Sequence, residues 1–89
     1  ILSLPINGSY VETTKPTFTW EQVPGTSNYN IQVALSPSFS STAIKKTVTS
    51  TTYNTTIYLR SGKTYYWRVR ANGTNGPSKW SDVWSFITP

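Results

Sequence analysis

The chain has 89 residues, eight of them basic and three acidic, and it contains neither cysteine nor histidine. This composition excludes a disulfide framework, a Cys/His zinc site, and nucleophilic catalysis of the Ser–His or Cys–His type. A chain of this length can bury one modest core, so we expect a single domain over residues 1–89. Because the sequence opens with Ile1 rather than Met, we interpret it as a module taken from a longer polypeptide.

Alternation of apolar and polar residues is the dominant pattern, and it is typical of β-strands with one buried face. The alternating segments lie near residues 1–5, 16–22, 28–36, 43–49, 52–59, 63–73 and 80–88. Turn-forming pairs such as Asn7-Gly8 and Pro24-Gly25 separate them, and no stretch has a helical period. About seven short strands in a chain of 89 residues predict an all-β fold, a two-sheet antiparallel sandwich.

The same alternation assigns side chains to the two faces of each strand. The predicted inward positions of the second, third and sixth strands are Phe18 and Trp20, then Tyr29, Ile31, Val33 and Leu35, and then Tyr65, Trp67, Val69 and Ala71. On the sixth strand, Tyr66, Arg68 and Arg70 then point outward. The last strand is ambiguous, because strict alternation puts Trp80, Trp84 and Phe86 on one face unless a bulge separates them.

Over nearly its full length the chain resembles a fibronectin type III module. The landmarks of that family are a Trp on the second strand, a Tyr opening the third, and a Leu–Gly–Tyr corner before the sixth; they match Trp20, Tyr29, Leu59, Gly62 and Tyr65. The usual proline of the corner is replaced by Ser61. The resemblance implies immunoglobulin-like topology and a hydroxyl-to-backbone bond from Tyr65 to the preceding loop. The expected structural core is Trp20, Tyr29, Leu59, Tyr65, Trp67, Val69 and Phe86.

The pattern W-x-x-V-P-G, Y-x-x-Q-V, Y-Y-W-R-V-R-A and W-S resembles modules of secreted and cell-surface bacterial proteins, many of them beside glycoside hydrolase or carbohydrate-binding domains. This likeness implies an extracellular location. It also implies that the main partners are neighbouring domains of the same polypeptide, with polysaccharide as a further candidate.

Three tryptophans and two arginines are concentrated between Tyr65 and Phe86. One interpretation is structural, a cation–π ladder in which Arg68 and Arg70 stack on Trp80 or Trp84. A similar ladder occurs in the Trp–Ser–x–Trp–Ser element of cytokine receptors, although the spacing of the Trp-Ser pairs differs here. We favour the ladder, because adjacent Arg and Trp side chains satisfy one another.

The alternative for the same residues is a ligand-binding platform on which rings stack against sugars. Its candidate residues are Tyr66, Arg68, Arg70, Trp80 and Trp84, with Asn30 and Gln32 on the neighbouring strand.

Catalysis is not expected from this sequence. The carboxylates are Glu12, Glu21 and Asp82, and nothing in their positions predicts the convergent pair of a glycosidase. No metal or other cofactor is expected. The five lysines are scattered rather than clustered, which disfavours a nucleic acid partner, and no apolar run is long enough for membrane insertion.

The sequence therefore favours a non-catalytic spacer or stabilising module of a larger extracellular, bacterial protein such as a polysaccharide-degrading enzyme. Two alternatives stay open. One is a carbohydrate-binding module that uses the Tyr/Trp/Arg face. The other is a protein-recognition or adhesion domain that uses the loops at residues 23–28 and 72–79.

Overall fold

Two β-sheets pack face to face in a computed structural model that describes residues 2–73 and 76–89. Its strands are β1 (Leu2–Leu4), β2 (Ser9–Tyr10), β3 (Thr17–Trp20), β4 (Thr26–Ala34), β5 (Thr42–Val48), β6 (Thr52–Asn54), β7 (Thr64–Gly73), β8 (Gly76–Pro77) and β9 (Trp84–Ile87). The prediction of an all-β sandwich is confirmed. The described ranges contain no helix long and apolar enough to cross a membrane.

The smaller sheet has the strand order β1-β3-β6, and the larger sheet has the order β2-β9-β7-β4-β5, with β8 also paired to β7. Every pair is antiparallel except β2 with β9, where Ser9 lies opposite Phe86 and Tyr10 opposite Ile87. This parallel pair departs from the expected antiparallel sandwich. It arises because the chain leaves the smaller sheet after Leu4 and joins the edge of the larger one at Ser9.

Within the described residues, two short strands were not predicted, β2 and β8, and both lie between predicted strands. The first predicted strand corresponds to β1, and its residue 1 lies outside the described residues. The last is not one strand from residue 80, because regular pairing begins only at Trp84. The strand predicted at 52–59 ends at Asn54, after which the buried Thr55 donates its hydroxyl to the Pro16 carbonyl oxygen at 2.6 Å.

The core lies between the two sheets and consists mainly of aromatic rings. Phe18 of the smaller sheet packs with its ring centroid 5.0 Å from that of Trp67 and 5.6 Å from that of Phe86. All seven residues predicted for the core are at most 6 % exposed, namely Trp20, Tyr29, Leu59, Tyr65, Trp67, Val69 and Phe86. The Tyr65 hydroxyl accepts a hydrogen bond of 2.8 Å from the Arg60 backbone N–H, so it ties the preceding loop to β7.

One predicted inward residue lies outside the core. Leu35 is 43 % exposed, because β4 ends at Ala34 and Leu35 belongs to the turn beyond it. The pairing of β4 with β5 also shifts between Val33 and Ala34, and Ala34 is fully buried. The strict alternation that places Tyr29, Ile31 and Val33 inward therefore stops before Leu35.

We predict that Phe18→Ala lowers the free energy of unfolding by about 3–5 kcal/mol, because it removes a fully buried ring and leaves a cavity against Trp67 and Phe86. Urea denaturation followed by tryptophan fluorescence measures this loss. Tyr58→Ala is the control, since Tyr58 is 79 % exposed and its removal should change the free energy by less than about 0.5 kcal/mol. Equal effects of the two substitutions would contradict the assignment of the core.

Candidate functional site

The outer face of the larger sheet brings together side chains of the neighbouring strands β4 and β7. The pairing of β4 with β7 places Gln32 opposite Arg68 and Asn30 opposite Arg70. Residues directly opposite in an antiparallel pair lie on the same face. Because Trp67 and Val69 point into the core, Arg68 and Arg70 point away from it.

The two arginines form a stack with aromatic rings on this face. The Arg68 guanidinium carbon lies 4.2 Å from the Phe39 ring centroid and 4.2 Å from the Trp80 ring centroid. The Arg70 guanidinium carbon lies 4.6 Å from the same Trp80 centroid. We call these four residues the cation–aromatic ladder; the sequence predicted its Arg68, Arg70 and Trp80 members.

Phe39 is the member that sequence reasoning missed. It lies in the connection between β4 and β5, which reads as a serine-rich turn, and it is only 8 % exposed. Its φ of 54° is unusual for a bulky residue, and its N–H donates to the Ser36 carbonyl oxygen at 3.1 Å. A lone aromatic residue in a polar turn was the available signal, but only the fold brings it to Arg68.

Amide side chains of β4 hold the arginines in place. Arg68 donates from Nε and Nη2 to Gln32 Oε1 at 3.0 and 2.8 Å, and Arg70 donates from Nε to Asn30 Oδ1 at 3.1 Å. Burial lowers the pKa of the Arg68 guanidinium, and repulsion from Arg70 lowers it further. An arginine titrates so far above neutrality that Arg68 keeps its charge.

Two serines explain how Trp80 reaches the outer face. Ser81 donates its N–H to the Val69 carbonyl oxygen at 2.8 Å, and its hydroxyl oxygen accepts from the Val69 N–H at 3.0 Å. Ser78 does the same with Ala71, at 2.7 and 3.0 Å. The serine hydroxyls thus replace backbone carbonyls as partners of β7 between β8 and β9. This serine pair, Ser78 and Ser81, was also missed by sequence reasoning, although their spacing of three residues was visible.

The remaining candidate residues lie in different surroundings. Trp84 is opposite Trp67 on the inner face, with ring centroids 6.4 Å apart, so it packs against the core, whereas Trp80 stacks with the arginines of the outer face. The irregular segment between Pro77 and Trp84 therefore separates the two tryptophans, as the bulge alternative allowed. Tyr66 is half-buried on β7, opposite Ala34 and Ser85.

The three carboxylates lie in three separate segments between strands. Glu12 lies in the connection before β3, Glu21 follows that strand at its other end, and Asp82 lies in the segment before β9. All three are exposed. Within residues 2–73 and 76–89 there is no group of three or more Asp, Glu, His or Cys residues that could hold a metal ion.

Comparison with known families decides the assignment. The family model described as the Rha78A-like, N-terminal immunoglobulin domain matches residues 6–88. The chain belongs to this family. No curated protein is similar to this immunoglobulin domain in sequence.

Solved structures share the fold of this immunoglobulin domain at low identity. A fibronectin type III-like protein from Clostridium thermocellum is 22 % identical with a TM-score of 0.71, covering 98 % of this chain and 96 % of its own. The twitchin kinase region from C. elegans is 23 % identical with a TM-score of 0.68, covering 99 % of this chain and 16 % of its own. An α-L-rhamnosidase from Streptomyces avermitilis, complexed with L-rhamnose, is 21 % identical with a TM-score of 0.65, covering 98 % of this chain and 10 % of its own. The resemblance to fibronectin type III modules is therefore confirmed for the fold.

We predict that Trp80→Ala destabilises this immunoglobulin domain by about 1–2 kcal/mol, because it removes two cation–π contacts. A double-mutant cycle with Arg68→Ala, measured by chemical denaturation, should give a coupling energy above about 0.5 kcal/mol. Trp80→Ala combined with the exposed Tyr10→Ala is the control and should be additive. Additivity of Trp80→Ala and Arg68→Ala would show that the contact between these two residues contributes nothing to stability.

We predict that Ser81→Ala costs about 1–2 kcal/mol, because the Val69 N–H loses its acceptor inside the fold. Hydrogen exchange should accelerate most at Val69 in Ser81→Ala and most at Ala71 in Ser78→Ala. Ser38→Ala, in an exposed turn, is the control. The same exchange profile in both variants would indicate general destabilisation and contradict the paired role of the serines.

Proposed function

We propose that the 89 residues form one non-catalytic module of a larger extracellular, bacterial protein such as a polysaccharide-degrading enzyme. The module would hold neighbouring domains at a fixed separation. The observation that carries this proposal is the match of residues 6–88 to the Rha78A-like immunoglobulin family. Two fold relatives support it, because this fold makes up 10 % of the α-L-rhamnosidase chain and 16 % of the twitchin chain.

The shape of the sandwich suits a spacer. Its principal extents are 40 × 23 × 21 Å, so it is nearly twice as long as it is wide. Leu2 lies opposite Trp20, shortly before the start of β4, which pairs with the end of β7. Ile87 instead pairs with Thr64, at the beginning of β7. Chain segments joined at residues 2 and 87 would therefore be held apart along the sandwich by a packed core.

The geometry supports a structural role for the ladder more than a platform for neutral sugars. Sugar stacking needs an open aromatic face, and the Trp80 ring already has two guanidinium groups within 4.6 Å of its centroid. The other platform candidates are partly covered, since Tyr66 is half-buried and Trp84 packs against the core. A carbohydrate-binding module that stacks sugars on Tyr66 and Trp80 is thus the weaker proposal.

Protein recognition by the end loops is supported by fewer observations. Val23 is 41 % exposed and lines a shallow depression with Gly25 and Pro77. Residues 74 and 75 of the 72–79 loop lie outside the described residues. We therefore keep the spacer as the proposed function.

The test uses the natural polypeptide that carries this module. Replacing residues 6–88 by a flexible Gly/Ser linker should lower the Tm of the adjoining domain and broaden the distribution of domain separations in small-angle X-ray scattering. The kcat of the adjoining enzyme should be unchanged, because the module is proposed to be non-catalytic. Insertion of an unrelated sandwich of similar length is the control for separation alone. An unchanged Tm and an unchanged scattering profile would overturn the spacer proposal.

A further inference from the structure

A groove runs along β4 on the outer face of the larger sheet, between the side chains of β5 and β7. The register places Asn30 between Thr47 and Arg70, and Gln32 between Lys45 and Arg68. Since neighbouring strands lie about 4.8 Å apart, the backbones of β5 and β7 are separated by about 10 Å. The groove has a volume of ≈ 210 Å³. We call it the basic groove, and its lining residues are Asn30, Gln32, Lys45, Lys46, Thr47, Arg70 and Trp80.

The charges of the basic groove are all of one sign. Lys45 and Arg70 present their side chains on this face, and Arg68 lies next to them, so three of the eight basic residues of the chain are at this face. Lys46 is opposite the inward Ile31, so its side chain points to the other face of β5. The three acidic residues of the chain are not among its lining residues. Uncompensated positive charge of this kind favours an anionic ligand.

The hydrogen-bonding groups of the groove point to the same ligand class. Asn30 Oδ1 accepts from both Arg70 Nε and Asn72 Nδ2, and Gln32 Oε1 accepts twice from Arg68. The amide oxygens on the floor are thus occupied. Within the described part of the chain, Arg70 uses only its Nε, and neither Gln32 Nε2 nor the Lys45 ammonium group makes a hydrogen bond. The groove therefore offers free donors and occupied acceptors, which suits a ligand whose oxygens carry negative charge.

We propose that the basic groove binds carboxylate groups of an acidic polysaccharide. Its floor of amides and its cationic walls fit a single extended chain lying along β4, with carboxylates against Arg70 and Lys45. The choice of a polysaccharide rests on the proposed association with polysaccharide-degrading enzymes; the choice of an anion rests on the groove alone. Single-stranded nucleic acid fits less well, because its binding sites use open aromatic faces and the Trp80 ring is covered by guanidinium groups.

Affinity electrophoresis of the domain through gels containing polygalacturonate tests this proposal, with fully methyl-esterified polygalacturonate as the uncharged counterpart. Polygalacturonate should retard the domain and its methyl ester should not. The variant Lys45→Gln should raise the apparent Kd about three- to tenfold, the range expected for losing a charge-assisted hydrogen bond. Lys45 is exposed, so this variant should keep the fold, which urea denaturation verifies.

The matched control is Lys63→Gln, which removes one lysine charge from the loop before β7. It should change the apparent Kd by less than about twofold, since surface charges far from a ligand are screened by salt. Equal weakening by the two variants would show that binding depends only on net charge and would overturn the proposal. Equal retardation by the methyl ester would overturn the role of the carboxylate. Tighter binding of a single-stranded oligodeoxynucleotide, lost in the same lysine variant, would assign the groove to nucleic acid instead.

These outcomes are independent of the spacer test. Polysaccharide binding is measured on the domain alone, whereas the spacer function is measured as stability and separation in the parent polypeptide. Failure of binding would therefore not contradict the spacer proposal. An unchanged scattering profile would likewise not contradict the proposal that the basic groove binds a polysaccharide.

Discussion

The packing of Trp67 against Phe18 joins the two sheets, and the other features of the domain depend on it. Both rings are fully buried, and their centroids are 5.0 Å apart. Trp67 lies on β7, which pairs with β4 on one side and β9 on the other. Because side chains alternate along a strand, fixing Trp67 inward also fixes Arg68 and Arg70 outward. One buried contact thus decides which residues form the core and which form the outer face.

The outer face shows how a small domain can stabilise an irregular last strand without disulfides. The segment between β8 and β9 lacks regular strand pairing, yet Ser78 and Ser81 supply hydroxyl oxygens to the backbone of β7. Trp80, held between these serines in the chain, then stacks with both arginines. The serine pair therefore holds this segment by hydrogen bonds to the backbone of β7, and the cation–aromatic ladder holds it by stacking of side chains.

The outer face of the larger sheet has two parts with different proposed roles. Around Trp80, the arginines and the ring satisfy each other, which favours a structural role. Toward β5, the Asn30 and Gln32 oxygens are already bonded while cationic donors stay available. A sandwich that holds neighbouring domains apart could thus also carry a groove for an anionic chain. The family assignment and the elongated shape support the first role, and the donor-only groove supports the second.

The sequence by itself determined the strands with strict alternation, the aromatic core and the outward position of Arg68 and Arg70. These are local properties, because a period of two residues specifies which face is buried wherever a strand forms. It also indicated that Arg68 and Arg70 stack on a tryptophan, with Trp80 and Trp84 as the two candidates. It could not place Trp80 and Trp84 on different faces, because that depended on the serine hydroxyls replacing backbone partners.

Phe39 and the basic groove were decided only by the tertiary structure. Gln32 and Arg68 are 36 residues apart, and Asn30 and Thr47 are 17 apart, so they meet only through the register of β4 with β7 and β5. That register is set by burial of the opposite face of the sheet, which no single segment of the sequence contains.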